Sequence, residues 1–198
     1  MPKLLARLSI FFMVLAGFSS QAAHIIGGVV TYTCTRPENY QVTMKVYRDC
    51  QGGGAQFDSG GGQNPLTGTM TVYRGTTLYT PYRSINLSSP LVSSINPNDN
   101  PCLVVPPNVC VEEGVYTFNL NLPISTETYT IVYQRCCRNG SISNIVTPGM
   151  VGATFYVQIN AAAQQTCNSS PIFSGFPPIV ICNNEDLVYD HSAIDQTP

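Results

Sequence analysis

The stretch YQVTMKVY, residues 40–47, decides the fold. Tyr40, Val42, Met44 and Val46 fall on one side of an extended chain, and Gln41, Thr43 and Lys45 on the other. Apolar residues two apart describe a strand with one face in a core and one in water; a helix needs them three and four apart. The pattern returns in VYTFNLNL (115–122), where Tyr116, Phe118, Leu120 and Leu122 alternate with Thr117, Asn119 and Asn121. VVTYTC (29–34), MTVYR (70–74), TYTIVYQRC (128–136) and ATFYVQI (153–159) also read as strands. No window after the N-terminal segment carries a helical stripe, so the chain is predicted to be all-β.

Turn chemistry divides these strands. TRPEN (35–39) predicts a hairpin between the first two, and PISTE (123–127) predicts another between 115–122 and 128–136. The glycine-rich QGGGAQFDSGGGQNP (51–65) reads as a mobile surface loop; without a following Lys-Ser/Thr and a helix it is no phosphate cradle. Residues 88–107, rich in Pro, Asn and Ser, read as a long loop needing an internal staple. One-sided strands without helices must bury their apolar faces on each other, which predicts an Ig-like β-sandwich. AAAQQTCNSS (161–170) reads as a boundary. Beyond it, IVIC and LVYD suggest short strands of a second β domain that stops before it can bury a face. The expected organisation is a leader over 1–22, a sandwich over 23–165 and the start of a second domain over 166–198.

The leader follows from Lys3 and Arg7, the apolar LSIFFMVLAGF, and the small residues of SSQAA. Ser20 and Ala22 suit the positions before cleavage, giving a mature start at Ala23. The apolar run is shorter than the ~20 residues of a membrane span. No later segment is long and apolar enough to insert. Cleavage leaves 176 of the 198 residues, and lowers the Lys+Arg count from 9 to 7 against 11 Asp+Glu, a formal charge of −4. That balance excludes a general nucleic-acid binder, which needs a basic face. The expected location is secreted or cell-surface.

All eight cysteines follow the leader: Cys34, Cys50, Cys102, Cys110, Cys136, Cys137, Cys167 and Cys182. An even number in an exported chain predicts disulfides. Zinc would want close Cys-x-x-Cys pairs, which are missing, and only His24 and His191 add imidazole. A redox centre would want Cys-x-x-Cys at a helix start. Cys102–Cys110 is expected to close the proline-rich LVVPPNV, and Cys167–Cys182 to clamp the boundary. Neighbouring residues on a strand point to opposite faces. Cys136 and Cys137 are therefore expected to bond separate partners, Cys34 and Cys50 in either order. These bridges would tie the first strands to the strand over 128–136.

Three cations sit beside the cysteines: Arg48 in VYRDC, and Arg135 and Arg138 in YQRCCRN. One reading has them holding strand register through Asp49 or loop carbonyls; the sharper one is a site for an anion or a glycan carboxylate. No catalytic constellation is legible. A serine triad needs a histidine near an acid, and a cysteine nucleophile needs a free thiol beside a base. His24 and His191 lie at opposite ends of the mature chain. Glu112 and Glu113 are expected to flank a turn at Gly114. Asn86, Asn139 and Asn168 begin Asn-x-Ser sequons, compatible with modification and no more. The expectation is a non-enzymatic module without a cofactor. The alternative is a carbohydrate-binding module, in which tyrosine rings and amide side chains form a sugar platform.

AHIIGGVVTYTC, VYRDC, NPCLVVPPNVCVEEGVYTF, VYQRCCRNGSISNIV and NSSPIFSGFPPIVICNNEDLVYDHSA together carry a resemblance. They resemble the N-terminal region of large Bacteroidetes surface proteins, the gliding-motility-associated C-terminal-domain family exported by type IX secretion. The resemblance covers essentially all of the chain after the leader. It implies that cadherin-like or PKD-like β-sandwich repeats follow, with a role in adhesion or gliding. The implied partners are cell-surface proteins or glycans and the downstream repeats of the same protein. The family pattern continues past DHSA into an acidic segment suited to calcium. Here Asp195 matches its first acid and Gln196, Thr197 and Pro198 close the chain, so calcium is expected only in the missing downstream part. The sequence reads as a fragment or an incomplete reading frame.

Overall fold

The computed structural model describes residues 25–50, 56–59, 69–96, 109–136, 138, 142–181 and 184–196. The expected leader lies outside the described residues. Among the described residues, no helix is long and apolar enough to cross a membrane.

The chain is nearly all-β. Its strands are β1 (Ile25–Arg36), β2 (Asn39–Asp49), β3 (Thr69–Arg74), β4 (Thr77–Leu78), β5 (Ile85–Asn86) and β6 (Leu91–Ile95). They continue with β7 (Val111–Asn121), β8 (Tyr129–Arg135), β9 (Ala153–Ile159), β10 (Ile172–Phe173) and β11 (Ala193–Ile194). One antiparallel sheet runs β1-β2-β7-β6; the second runs β4-β3-β8-β9, with β5 also on β3; β10 and β11 pair separately.

The two large sheets share one core. Val30, Tyr32, Tyr40, Val42, Met44, Val46, Tyr116 and Leu120 come from the first, and Met70, Val72, Tyr129, Ile131, Tyr133 and Ile159 from the second. The buried residues of β2 and β7 are those the period-two pattern selects. Val42, Met44, Met70, Val72 and Ile131 are 0% exposed. Each such side chain contributes about 1.5–3 kcal/mol relative to an exposed position. The result is a sandwich-like pair of sheets.

The first hairpin forms as expected, with Pro37 and Glu38 between β1 and β2. Glu38 takes a left-handed φ of 67°. Its carbonyl accepts from Leu122 N–H at 2.8 Å, and its carboxylate from Ile124 N–H at 3.2 Å. These bonds hold a conformation that costs a non-glycine residue free energy.

The second expected hairpin is instead an arch. β7 pairs with β2 and β6, whereas β8 pairs with β3 and β9, so residues 122–128 carry the chain from one sheet to the other. Leu122 enters the core at 0% exposure, and Tyr129 Oη–H donates back to the Pro123 carbonyl at 2.9 Å. Two other expectations fail. Residues 91–95 of the expected long loop form β6, which pairs with β7. Glu112, Glu113 and Gly114 lie within β7 rather than at a turn. Their alternation is hidden because Gly114 occupies a buried position with no side chain to mark it.

AAAQQT forms a helix, α1 (Ala161–Thr166), where none is expected. Asn160 caps it, its side chain accepting from Ala163 N–H at 2.8 Å. Gln164, 0% exposed, then bridges the arch: Oε1 accepts from Ser125 N–H at 2.8 Å, and Nε2–H donates to the Glu127 and Ile159 carbonyls at 2.8 and 3.0 Å. After α1 the chain lies along the edge of β1. Tyr32 N–H donates to Ser170 Oγ at 2.9 Å, and Ser170 N–H donates to the Tyr32 carbonyl at 2.9 Å. Cys34 N–H donates to Ser169 Oγ at 3.1 Å. The boundary expected at 165 falls within α1.

Two disulfides correct the expected pairings. Cys50 bonds Cys110 rather than Cys110 bonding Cys102, because the β2–β7 register carries both just past the Asp49–Val111 pair. Their Cα atoms are 5.2 Å apart, within bridging range. Cys34 bonds Cys167 rather than Cys167 bonding Cys182, because α1 ends beside the β1 edge. Cys34 and Cys50 are thus unavailable to Cys136 and Cys137. Cys136 is itself disulfide-bonded. Cys102, Cys137 and Cys182 lie outside the described residues.

Candidate functional site

At the end of the sandwich where β2 meets Cys50, the sequence collects both signs of charge. Arg48 sits opposite Glu112 across the β2–β7 ladder. Its Nε–H donates to Glu112 Oε2 at 2.8 Å, which makes Glu112 a carboxylate partner across the ladder. The same guanidinium lies 4.5 Å over the Phe57 ring. Phe57 presses on β7 at Gly114, where an added Cβ would meet the ring at 2.7 Å. Part of the glycine-rich tract is therefore seated on the sheet, which corrects the expectation of a simple surface loop for residues 56–59.

Asp58 follows Phe57 inward and is held from three directions. Arg135 pairs with its carboxylate, Tyr133 Oη–H donates to Oδ2, and Tyr116 Oη–H donates to its carbonyl at 2.7 Å. Arg135 Nη1 faces Asp58 as an ion pair without an aligned hydrogen bond, while Nη2–H donates to the Gln56 carbonyl at 2.8 Å. The two charged side chains are only 14% and 10% exposed. Burial works against the Arg135 charge, but its interactions with Tyr133 and with the Asp58 charge outweigh it and raise its pKa. Burial, reinforced by donation to Asp58, pushes the Tyr133 phenol well above its ordinary value.

Beside this cluster is a groove of about 410 Å³ between the starts of β1 and β9 and the ends of β2 and β8. Its apolar walls include Ile25, Ile26, Val111, Ile142, Phe155 and Ile179. Asp49, Arg135 and Arg138 line it, along with the half-cystines Cys110 and Cys136. Arg138 is fixed by its backbone, whose N–H donates to the Pro148 and Val151 carbonyls at 3.1 and 3.0 Å. Its Nε–H donates to the Gly152 carbonyl at 3.1 Å, and no carboxylate among the described residues pairs with it.

A second surface lies on the outer face of the β3-β8-β9 sheet. Tyr156, 60% exposed, is opposite Val132, which is opposite Thr71. Gln158 Nε2–H donates to Thr130 Oγ1 at 3.3 Å, and Gln134 Nε2–H to Thr154 Oγ1 at 3.4 Å. This face is an exposed ring among amides and hydroxyls.

The structure thus brings Arg135, Arg138, Cys110 and Cys136 to one groove. Arg48 stands on the adjacent ladder, and Cys34 and Cys167 lie towards the other end of β2. His191 packs edge-on to Tyr189 and Phe173 beside β11; His24 lies outside the described residues. Among the described residues, no three His, Cys, Asp or Glu gather as metal ligands. Asn86 is exposed on β5, Asn168 follows α1, and Asn139 lies outside the described residues. Sequence reasoning passed over Phe57, Asp58 and Gln164. An aromatic–acid pair stranded in a glycine tract was a usable signal; a glutamine after three alanines was not. Comparison with known proteins finds no matching family model, no matching curated protein and no matching solved structure.

Proposed function

We propose that the chain is a non-enzymatic, exported cell-surface module, an Ig-like sandwich at the N-terminal part of a larger adhesin or gliding-motility-associated surface protein. One observation carries this reading: disulfides stand near both ends of β2, Cys34–Cys167 beside its start and Cys50–Cys110 beyond its finish. Such a scaffold is stable in an oxidising compartment and resists unfolding from either end. The leader reading and the family resemblance supply direction towards the surface. The chain beyond the docked Ser170 fits the start of the next β domain, since Ile172, Phe173, Leu187, Val188 and Ile194 are apolar side chains that remain exposed.

The test is to express the chain with its own N-terminal segment in a Gram-negative host. Surface protease accessibility and non-reducing peptide mapping are then measured together. Cys34–Cys167 and Cys50–Cys110 peptides from an externally accessible chain are expected. Reduced thiols in a chain retained in the cytoplasm would overturn the proposal.

A carbohydrate-binding module is the second reading, favoured by exposed Tyr156 and the neighbouring Gln134 and Gln158. A saturable hit on a glycan array that disappears in Tyr156→Ala would favour it over the first.

A further inference from the structure

We infer that the groove beside Arg138 binds the C-terminal carboxylate of a peptide ending in a branched aliphatic residue; this deepens the reading of the chain as an exported binding module and rests on it. The groove's volume of about 410 Å³ suits a small ligand or the end of a larger one. Of the two arginines that line it, Arg135 is neutralised by Asp58. Arg138 is left with a neutral carbonyl as its side-chain partner among the described residues. A part-buried guanidinium in that condition gains most from a carboxylate, which accepts two parallel N–H bonds from its free edge. Backbone bonds from Arg138 to Pro148 and Val151 fix its position beforehand, which lowers the ordering cost of binding.

The walls select among carboxylates. Ile25, Ile26, Val111, Phe155 and Ile179 suit an aliphatic side chain better than the hydroxyls of a uronic acid, for which Asp49 and Thr154 are the side-chain partners with oxygen on the walls. A fatty acid shares the remaining chemistry. The peptide is preferred because β1 ends its sheet, its ladder is irregular between Ile25 and Gly27 at the groove, and the segment docked on its edge is bonded farther along, at Tyr32 and Cys34. Backbone N–H and C=O groups along a strand edge can pair with an extended peptide.

The experiment uses the purified chain with its disulfides intact. Fluorescence anisotropy is measured with a labelled pentapeptide ending in isoleucine, as the free acid and as the amide. Saturable binding of the free acid is expected, weaker by about tenfold or more for the amide and for Arg138→Gln, the loss for one charged hydrogen-bonded pair. Arg138→Lys should recover part of it. Peptide mapping and circular dichroism establish that the variants keep the fold. Equal binding of acid and amide, unchanged binding by Arg138→Gln, or no saturation at roughly 1 mM peptide would overturn the inference. So would displacement of the labelled peptide by decanoate or glucuronate at lower concentrations than the unlabelled free-acid peptide needs. The two proposals separate: a chain that reaches the surface crosslinked but ignores the peptide overturns only the groove. A chain retained inside overturns the export reading and leaves the binding result intact.

Discussion

Asp58 sets the energetics of the groove end. Its carboxylate is the counter-ion of Arg135 and the acceptor for Tyr133, and both charged groups are largely removed from water. Asp58→Asn keeps the shape but leaves a buried guanidinium without its counter-ion, an expected loss of about 3 kcal/mol in a urea unfolding midpoint series. Removing both charges in Asp58→Leu/Arg135→Met should recover most of that loss, because no buried charge is then left alone. A double variant no more stable than Asp58→Asn would sink the ion-pair account. Gln164 poses the same question without charge. Its three partners are a backbone N–H and two carbonyls, all held by one fully buried amide. Gln164→Leu leaves them unsatisfied, so a loss of about 2–4 kcal/mol is expected from the same measurement. The arch should also become the first segment to exchange its amide hydrogens.

At the scale of elements, β7 explains both what the sequence reveals and what it hides. Tyr116 to Leu122 alternates cleanly, and that half of the strand is legible from residue types alone. Residues 111–114 are equally extended but read as a turn, since Gly114 faces inward and Phe57 fills the space above it. The missing side chain is supplied from a distant loop, which no local pattern reports. Gly114→Ala should therefore displace Phe57 and its contact with Arg48, destabilising by about 1–3 kcal/mol. Adding Phe57→Ala should make the glycine substitution nearly neutral. Undiminished cost in the double variant would show that Phe57 is not the obstacle. The groove was legible in part: the clustering of Arg135 and Arg138 with cysteines pointed to it. The disulfide map was not, because Cys50 meets Cys110 through strand register and Cys34 meets Cys167 through an unforeseen helix. The two bridges can be ranked. They close separations of 133 and 60 residues, and the loop-entropy relation makes the longer worth about 0.7 kcal/mol more. Unfolding of Cys34→Ser/Cys167→Ser against Cys50→Ser/Cys110→Ser checks that order.

Across the whole molecule, the core is unusual in using tyrosine where a sandwich commonly uses aliphatic residues. Tyr32, Tyr40, Tyr116, Tyr129 and Tyr133 are buried between the sheets, and Tyr47 is half-buried against Phe176. Burial raises the pKa of all six phenols, with hydrogen bonds to Glu113 and Asp58 adding to the rise for Tyr47 and Tyr133. The consequence has a definite sign. An unfolded tyrosine ionises near pH ~10, and the folded values lie higher. The native state therefore holds its phenolic protons more tightly than the unfolded chain does. Stability from this source is fully present below the unfolded value and is lost as pH rises from there through the folded values. Several phenols contribute together, so the loss should be steep. With the disulfides kept oxidised, phenolate absorbance and circular dichroism recorded along one alkaline titration should show exposed tyrosines ionising first with the sheets intact. The buried set should then ionise in a single step coincident with loss of β structure. Complete phenolate formation near pH ~10 with the fold retained would mean that these hydroxyls reach solvent, and that the tyrosine-lined core is not closed.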